Sequence, residues 1–349
     1  MIVSKIFAFF IIILMLQACS SIKKPYSTLL QTPPVIIKTS VGNVEAWKWK
    51  PPSTSSRANN IVYLIPGFPG SSLENTPLAK ELLHKGYSVQ LINPPGHGQS
   101  IIGNAKWKYE FPQYGRALFE SFKTLDADSG VNSKKTIIAH SAGAEMVMKL
   151  LQLQMTAGEL PEHYNIVLIN PWLPSISNQP IPWTKDDEDI LKYSPALITL
   201  FGPLSKGASH KRLFRDPFNT KSSDYLTAHE QLTEDLGGWG TFDSRFVRLM
   251  IGTTRVQKNI LQQGKSYELS ADKIAQLRKA LRSATAKLLL INSTITQDKV
   301  IPSAYKSALK KALITKFPSV NIRWVDVVKG GHMLHVEQPK KVMQAITVF

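Results

Sequence analysis

The chain has 349 residues, 43% of them apolar, with one cysteine and a formal net charge of +17. Length and apolar content allow one large domain with a sizeable core, and a single cysteine excludes an intrachain disulfide or a cysteine-based metal cluster. The basic balance raises nucleic acid as a partner, but no reading module for it is present, so nucleic-acid binding is not expected. The charge is uneven: the last 63 residues carry ten Lys and Arg against three Asp and Glu. Such a surface suits anionic lipid headgroups, and serves solubility equally well.

The first residues, "MIVSKIFAFFIIILMLQACSS", hold a short basic start at Lys5 and an unbroken apolar run from Ile6 to Leu16. That run is too short to span a bilayer, which takes about 20 residues. It fits the apolar centre of a secretory signal. Leu16-Gln17-Ala18-Cys19 resembles a bacterial lipobox, in which cleavage leaves Cys19 as a lipid-bearing N-terminus. By the same resemblance, Ser20 points to the outer membrane of a Gram-negative envelope. Residues 1–18 are thus expected to be a lipoprotein signal peptide. Residues 19–34, polar and proline-containing, read as a tether.

Beyond the tether, "VIIKTSVGNVEAWKWK" reads as a hairpin turning at Gly42-Asn43. Short apolar runs then alternate with helical patterns. Strands are expected at Asn60 to Ile65, Tyr87 to Ile92, Lys135 to Ala139 and Tyr164 to Asn170. Helices are expected around Leu78, Leu82 and Leu83, from Tyr114 to Leu125, and from Gly143 to Met155. This alternation predicts an α/β fold with a mostly parallel sheet flanked by helices. It stops at Pro171. Residues 171–286 read as a helical cap inserted after the sixth strand. Helices are expected near Tyr225 to Leu236, and after Ser270, where Ile274, Leu277 and Leu281 share a face. The sheet resumes at Lys287 to Asn292, continues at Asn321 to Val328, and ends with a helix from Pro339. The core is therefore expected in two parts, 35–170 and 287–349.

In a parallel α/β sheet, functional groups gather beyond the carboxyl ends of the strands. Those ends carry "PGFPGSS" (Pro66 to Ser72), "NPPGHGQS" (Asn93 to Ser100), "AHSAGA" (Ala139 to Ala144), "STITQDKVIP" (Ser293 to Pro302) and "KGGHMLHVEQP" (Lys329 to Pro339). A serine, an acid and a histidine follow in that order. With these motifs, the stretch from about Val35 to Phe349 resembles the α/β-hydrolase family. "PGFPGSS" is similar to the family's "HGFPGSS", with Pro66 for the histidine. "NPPGHGQS" is similar to "D-x-P-G-H-G-x-S", with Asn93 for the acid. "GGHMLHVEQP" is similar to "G-H-x-x-x-x-E-x-P".

The resemblance implies the following roles. Ser141 is the candidate nucleophile. Its turn departs from G-x-S-x-G, because Ala139 replaces the first glycine while Gly143 keeps the second. Taken alone, Ser141 is equally a serine that caps the next helix. His332 is the candidate base, with His335 as a competitor, and His140 and His97 are expected to be structural. Asp298 is the candidate orienter of the imidazole, with Glu337 as an alternative acid expected instead to cap or position the last helix. The oxyanion donors are the amides of Ala142 and, by family analogy, Phe68; Pro66 and Pro69 have no N–H to give. No metal or organic cofactor is implied. The expected activity is hydrolysis of carboxylic esters at a membrane, lipid or fatty-acyl esters being one class. Acyl transfer or perhydrolysis by the same triad, and a non-catalytic binding protein on the same fold, are the alternatives. The cap aromatics, Trp172, Trp183, Phe201, Phe214, Phe218, Trp239 and Phe242, either line an acyl site or form the cap's own core.

Overall fold

The computed structural model describes residues 33–51, 55–67, 72–95, 97, 100–102, 110–127, 133–158, 164–178, 269–282, 287–294, 301–328 and 330–348. Among them, nine strands form one sheet. They are β1 (Val35–Thr39), β2 (Gly42–Trp49), β3 (Ile61–Ile65), β4 (Ser88–Asn93), β5 (Ile101–Ile102), β6 (Lys135–His140), β7 (Tyr164–Ile169), β8 (Leu288–Ser293) and β9 (Ile322–Val327). The order is β1-β2-β4-β3-β6-β7-β8-β9, with the short β5 pairing β2. From β4 through β9 all neighbouring pairs are parallel, while β2 pairs antiparallel with β1, β4 and β5. The expected mostly parallel α/β sheet is the sheet observed.

Alternation along the strands explains why both faces are covered. Ile137, Ile166, Leu168, Leu288 and Leu290 join one core. That core also takes buried residues of α2 (Phe111–Asp126), α3 (Gly143–Thr156), α5 (Ala271–Arg282) and α6 (Ser303–Lys316). Their neighbours Ile138, Val167, Ile169, Leu289 and Ile291 point the other way, toward α1 (Thr76–His84) and α8 (Pro339–Thr347). Burying each leucine or isoleucine contributes about 1.5–3 kcal/mol, so two continuous faces of this kind hold the sheet between its helices. Two short helices, α4 (Pro174–Ser177) and α7 (Leu334–Glu337), lie next to strand ends and shape the loops there.

Three local differences from the sequence pattern have physical causes. The hairpin turns at Ser40-Val41, so Gly42 and Asn43 already belong to β2. Glu120 of α2 accepts hydrogen bonds from the Ser40 amide and hydroxyl, both at 2.6 Å, and Thr39 Oγ1 donates to Gly42 O at 2.6 Å, which together fix the earlier turn. Helix α2 begins at Phe111, three residues before the apolar pattern suggests, because the Glu110 amide donates to Gln113 Oε1. Helix α6 has no clear apolar periodicity: Lys306 is buried and Ile314 is 57% exposed, so its amphipathic signal is scrambled.

Helix α5 forms where the spacing of Ile274, Leu277 and Leu281 predicts it, and the Lys273 amide donates to Ser270 Oγ at its start. Apart from residues 171–178 and 269–282, the expected cap, including the stretch around Tyr225 to Leu236 and every cap aromatic but Trp172, lies outside the described residues. So do the signal peptide, Cys19 and most of the tether.

Candidate active site

Strand β6 ends at His140, and the chain turns at once into α3. Ser141 is the residue at the turn, with φ of 48°. A serine in this left-handed region costs roughly 1–2 kcal/mol, so the surroundings must hold it there. They do so on both sides of the residue. The Ser141 amide donates to Ile169 O at 3.0 Å, and the Ser141 carbonyl accepts from the Trp172 amide at 3.0 Å.

The demand for small residues around this turn is visible as contacts. A Cβ at Gly143 would stand 2.4 Å from Pro66 O, and one at Gly67 would stand 2.5 Å from His140 Nδ1 and 3.0 Å from Ser141 Cβ. Ala139 is different. Its methyl is fully buried, in the core shared with the helix that follows the turn. The departure from G-x-S-x-G therefore places one methyl inside the core and leaves the turn intact.

The amide of Ala142, the residue after Ser141, has no acceptor among the described residues. It lies at the start of α3, where the helix dipole is positive. Phe68 and Asp298 lie outside the described residues, so the second oxyanion donor and the acid have no described position.

His332 follows β9 in a buried loop. Gly330 packs closely there: a Cβ would meet Leu334 Cδ2 at 2.2 Å, so the leucine side chain would have to move. Glu337 accepts from the Gly331 amide at 2.6 Å and the Met333 amide at 3.2 Å, so one carboxylate grips the backbone on both sides of His332. Sequence reasoning gave Glu337 to the last helix; it serves the histidine loop.

His140 links this loop to the serine turn. Its Nε2 lies 3.0 Å from His332 O. A carbonyl only accepts, so His140 carries its proton on Nε2. Its ring lies 4.6 Å from that of His332 and 4.5 Å from that of His335. Burial pushes His140 well below the ordinary histidine range, aided by the two neighbouring rings. Burial and the neighbouring His332 likewise push His335 down to about 3, and burial pushes His97 down to about 4. All three are neutral side chains packed into the structure, as expected for His140 and His97.

Two further groups hold the chain that follows β7. Tyr305 of α6 accepts from the Leu173 amide at 2.7 Å and from Ser177 Oγ at 3.2 Å, fixing the chain that leaves β7. Glu145, buried one turn into α3, accepts from Ser175 Oγ at 2.7 Å and pairs with Lys149 at 3.2 Å. Burial raises its pKa, against the opposing pull of Lys149 and Ser175. Among the described residues no group of three His, Cys, Asp or Glu is arranged to hold a metal ion.

Residues 60–339 match the family model described as the alpha/beta hydrolase fold. The chain belongs to the α/β-hydrolase family. Solved α/β-hydrolase structures resemble it along nearly their whole length. A carboxylesterase of the thaumarchaeon Nitrososphaera gargenis is 14% identical, with a TM-score of 0.56 over 90% of this chain and 97% of its own. A thermophilic esterase from Thermogutta terrifontis is 15% identical, with a TM-score of 0.57 over 90% and 97%. A haloalkane dehalogenase from Bradyrhizobium elkanii is 16% identical, also at 0.57, over 90% and 95%. At these identities the likeness concerns the fold, which hosts several hydrolytic chemistries. No curated protein sequence matches the chain significantly.

Proposed function

We propose that this α/β-hydrolase is a serine esterase acting on carboxylic esters. The observation that carries the reading is the strained turn at Ser141, φ 48°, joined through His140 to the loop that bears His332. A hydroxyl needs an adjacent base to attack at neutral pH. His332 takes the proton of Ser141 as Oγ bonds to the ester carbonyl carbon. The amides of Ala142 and Phe68 hold the oxyanion. Collapse breaks the ester bond, and His332 returns the proton to the departing alkoxide. Water then attacks the acyl-enzyme, again losing a proton to His332, and the acid leaves as Ser141 regains its hydrogen. Asp298 orients the imidazole and steadies the imidazolium. His335, which burial pushes down to about 3, is a poor base. A serine at the turn also argues against dehalogenase or epoxide hydrolase chemistry, which uses aspartate at this position in the family.

The same proposal anchors the enzyme to the bacterial cell envelope by a lipid on Cys19. Each buried methylene of such an anchor contributes about 0.8 kcal/mol, so several acyl chains hold firmly. A bilayer location favours lipid or fatty-acyl esters as substrates.

Fluorophosphonate labelling with peptide mapping tests the chemistry. Modification of Ser141, lost in Ser141→Ala and slowed in His332→Ala, supports it. A folded protein that does not label is a binding module instead. A chain-length series of chromogenic esters tests the substrate class, and preference for acetyl over longer acyl groups counts against lipid. For the anchor, Cys19→Ala should release the protein from membranes or block its processing; unchanged partition and mass would overturn that part.

A further inference from the structure

Asn170, the first residue after β7, joins two parts of the site with one side chain. Its Oδ1 accepts from the Ser293 amide at 2.8 Å and from Ser293 Oγ at 3.2 Å. Its Nδ2 donates to Gly331 O at 3.1 Å and to His332 O at 2.8 Å. The amide orientation follows from its partners: a backbone N–H requires the oxygen, and two carbonyls require the NH₂. Asn170 itself stands at φ 42°, a left-handed conformation that asparagine tolerates better than most residues. Its own amide donates to Ile291 O at 2.8 Å, and it is fully buried.

From this juxtaposition we infer that Asn170 is a positioning residue of the hydrolytic site. Its amide ties the loop bearing His332 to the end of β8, the strand that leads toward Asp298. The inference rests on the serine-hydrolase reading for its catalytic meaning. Its geometry stands on the hydrogen bonds alone.

The residue type is specific. The position needs an acceptor facing β8 and donors facing the histidine loop, at a short reach and at positive φ. An ionised Asp supplies only acceptors, and would set an oxygen against two carbonyls. Gln places the same amide one methylene too far. His140 acts alongside, so His332 O receives two hydrogen bonds, from the ends of β6 and β7. Lys306 completes the far side, donating to Ser293 O at 3.2 Å and Ser293 Oγ at 2.9 Å. A base whose own carbonyl is held by two neighbouring strands has little freedom to swing, and a shift of about 1 Å at a reacting group costs up to about 10²-fold in rate.

Two variants separate positioning from mere support. Asn170→Gly removes the amide and accepts the backbone conformation without strain. Asn170→Asp keeps the size and the acceptor while removing the donors, and stands in if the glycine variant does not fold. Two readouts are made on protein shown to be folded by its cooperative melt. One is fluorophosphonate labelling of Ser141, resolved into probe affinity and maximal rate. The other is the NMR signal of the His332 ring, which reports the order of the loop and needs no activity.

The expected result is a maximal labelling rate lowered about 10–100-fold with probe affinity changed less than about threefold. In Asn170→Gly the NMR signals of the His332 ring broaden or divide, because Gly331 O and His332 O lose the donors that hold the loop. A labelling rate and ring signals both at wild-type values overturn the inference. So does a slower rate with unchanged ring signals, which marks simple destabilisation. If the wild type does not label at all, the hydrolase reading fails, and the ring signals alone decide whether Asn170 sets the histidine loop.

Discussion

Gly143 offers the sharpest test of how tightly the serine turn is built. A Cβ there would lie 2.4 Å from Pro66 O and 3.3 Å from both Ile65 O and Ile65 Cγ2. Real Cβ contacts stay above 3.0 Å, so Gly143→Ala must drive the turn and the end of β3 apart by at least about 0.6 Å. Two of the three neighbours are backbone atoms, so no side chain can swing aside to make room. Overpacking of this kind costs about 1–3 kcal/mol. The same shift separates Ser141 and Ala142 from the Pro66-Gly67 segment, and a displacement of this order slows reaction by roughly 10²-fold. Gly158→Ala is the control. That glycine has φ of 72° with nothing within 4 Å of a new Cβ, so the variant pays only backbone strain of about 1–2 kcal/mol. Denaturant unfolding should show both variants destabilised by similar amounts. Fluorophosphonate labelling should be slowed only in Gly143→Ala. Equal labelling rates in the two variants would refute the close approach described between the turn and β3.

Other expectations follow from the same geometry. Ala139→Gly should lower stability by about 0.5–1 kcal/mol, as glycine does in a strand, and leave labelling within about threefold of wild type; a tenfold acceleration would show that the methyl hinders the turn. Tyr305→Phe strands the buried Leu173 amide and should cost about 1–3 kcal/mol in denaturant unfolding, with no loss marking that hydrogen bond as replaceable. Stability should also fall with acid. His97 and His335 are held near 4 and 3 in the native state against 6.5 ordinarily. The unfolded chain therefore binds more protons below about pH 6.5, where each histidine removes about 1.4 kcal/mol per pH unit until its native value is reached. Stability from this source is complete above that pH. Glu145, with its raised pKa, acts in the opposite sense. His335→Gln should flatten the profile between pH 6.5 and 4 measured by urea unfolding, and an unchanged slope would contradict the assignment.

Much of the fold was legible because period and length were unambiguous. Runs such as Tyr164 to Ile169 and Leu288 to Ser293 are too short and too apolar for surface helices, and both became central parallel strands. Ser141 and His332 were singled out by their place after strand ends, and the structure brings the loop of His332 onto His140, the residue before the serine. What escaped notice was carried by polar residues whose partners are distant in sequence. Asn170 looks like an ordinary residue before a proline, yet its partners are 123 to 162 residues away. Glu337 looks like a helix residue, yet it holds amides four and six positions back. Lys306 is buried and held by Ser293, and a lysine in sequence carries no sign of that. Tertiary hydrogen bonds of this kind leave no periodic trace.

The adjoining ends of β6 and β7 have a consequence for motion. Both carry left-handed residues, Ser141 and Asn170, and each is stitched to the next strand: Ser141 N to Ile169 O, Asn170 N to Ile291 O. Neither kink can relax alone, because straightening one tears the ladder that holds the other. The bent residues thus belong to the same cooperative unit as the central sheet. Amide hydrogens at Ser141 and Asn170 should exchange with solvent only through global unfolding, making the turn among the last parts of the molecule to open.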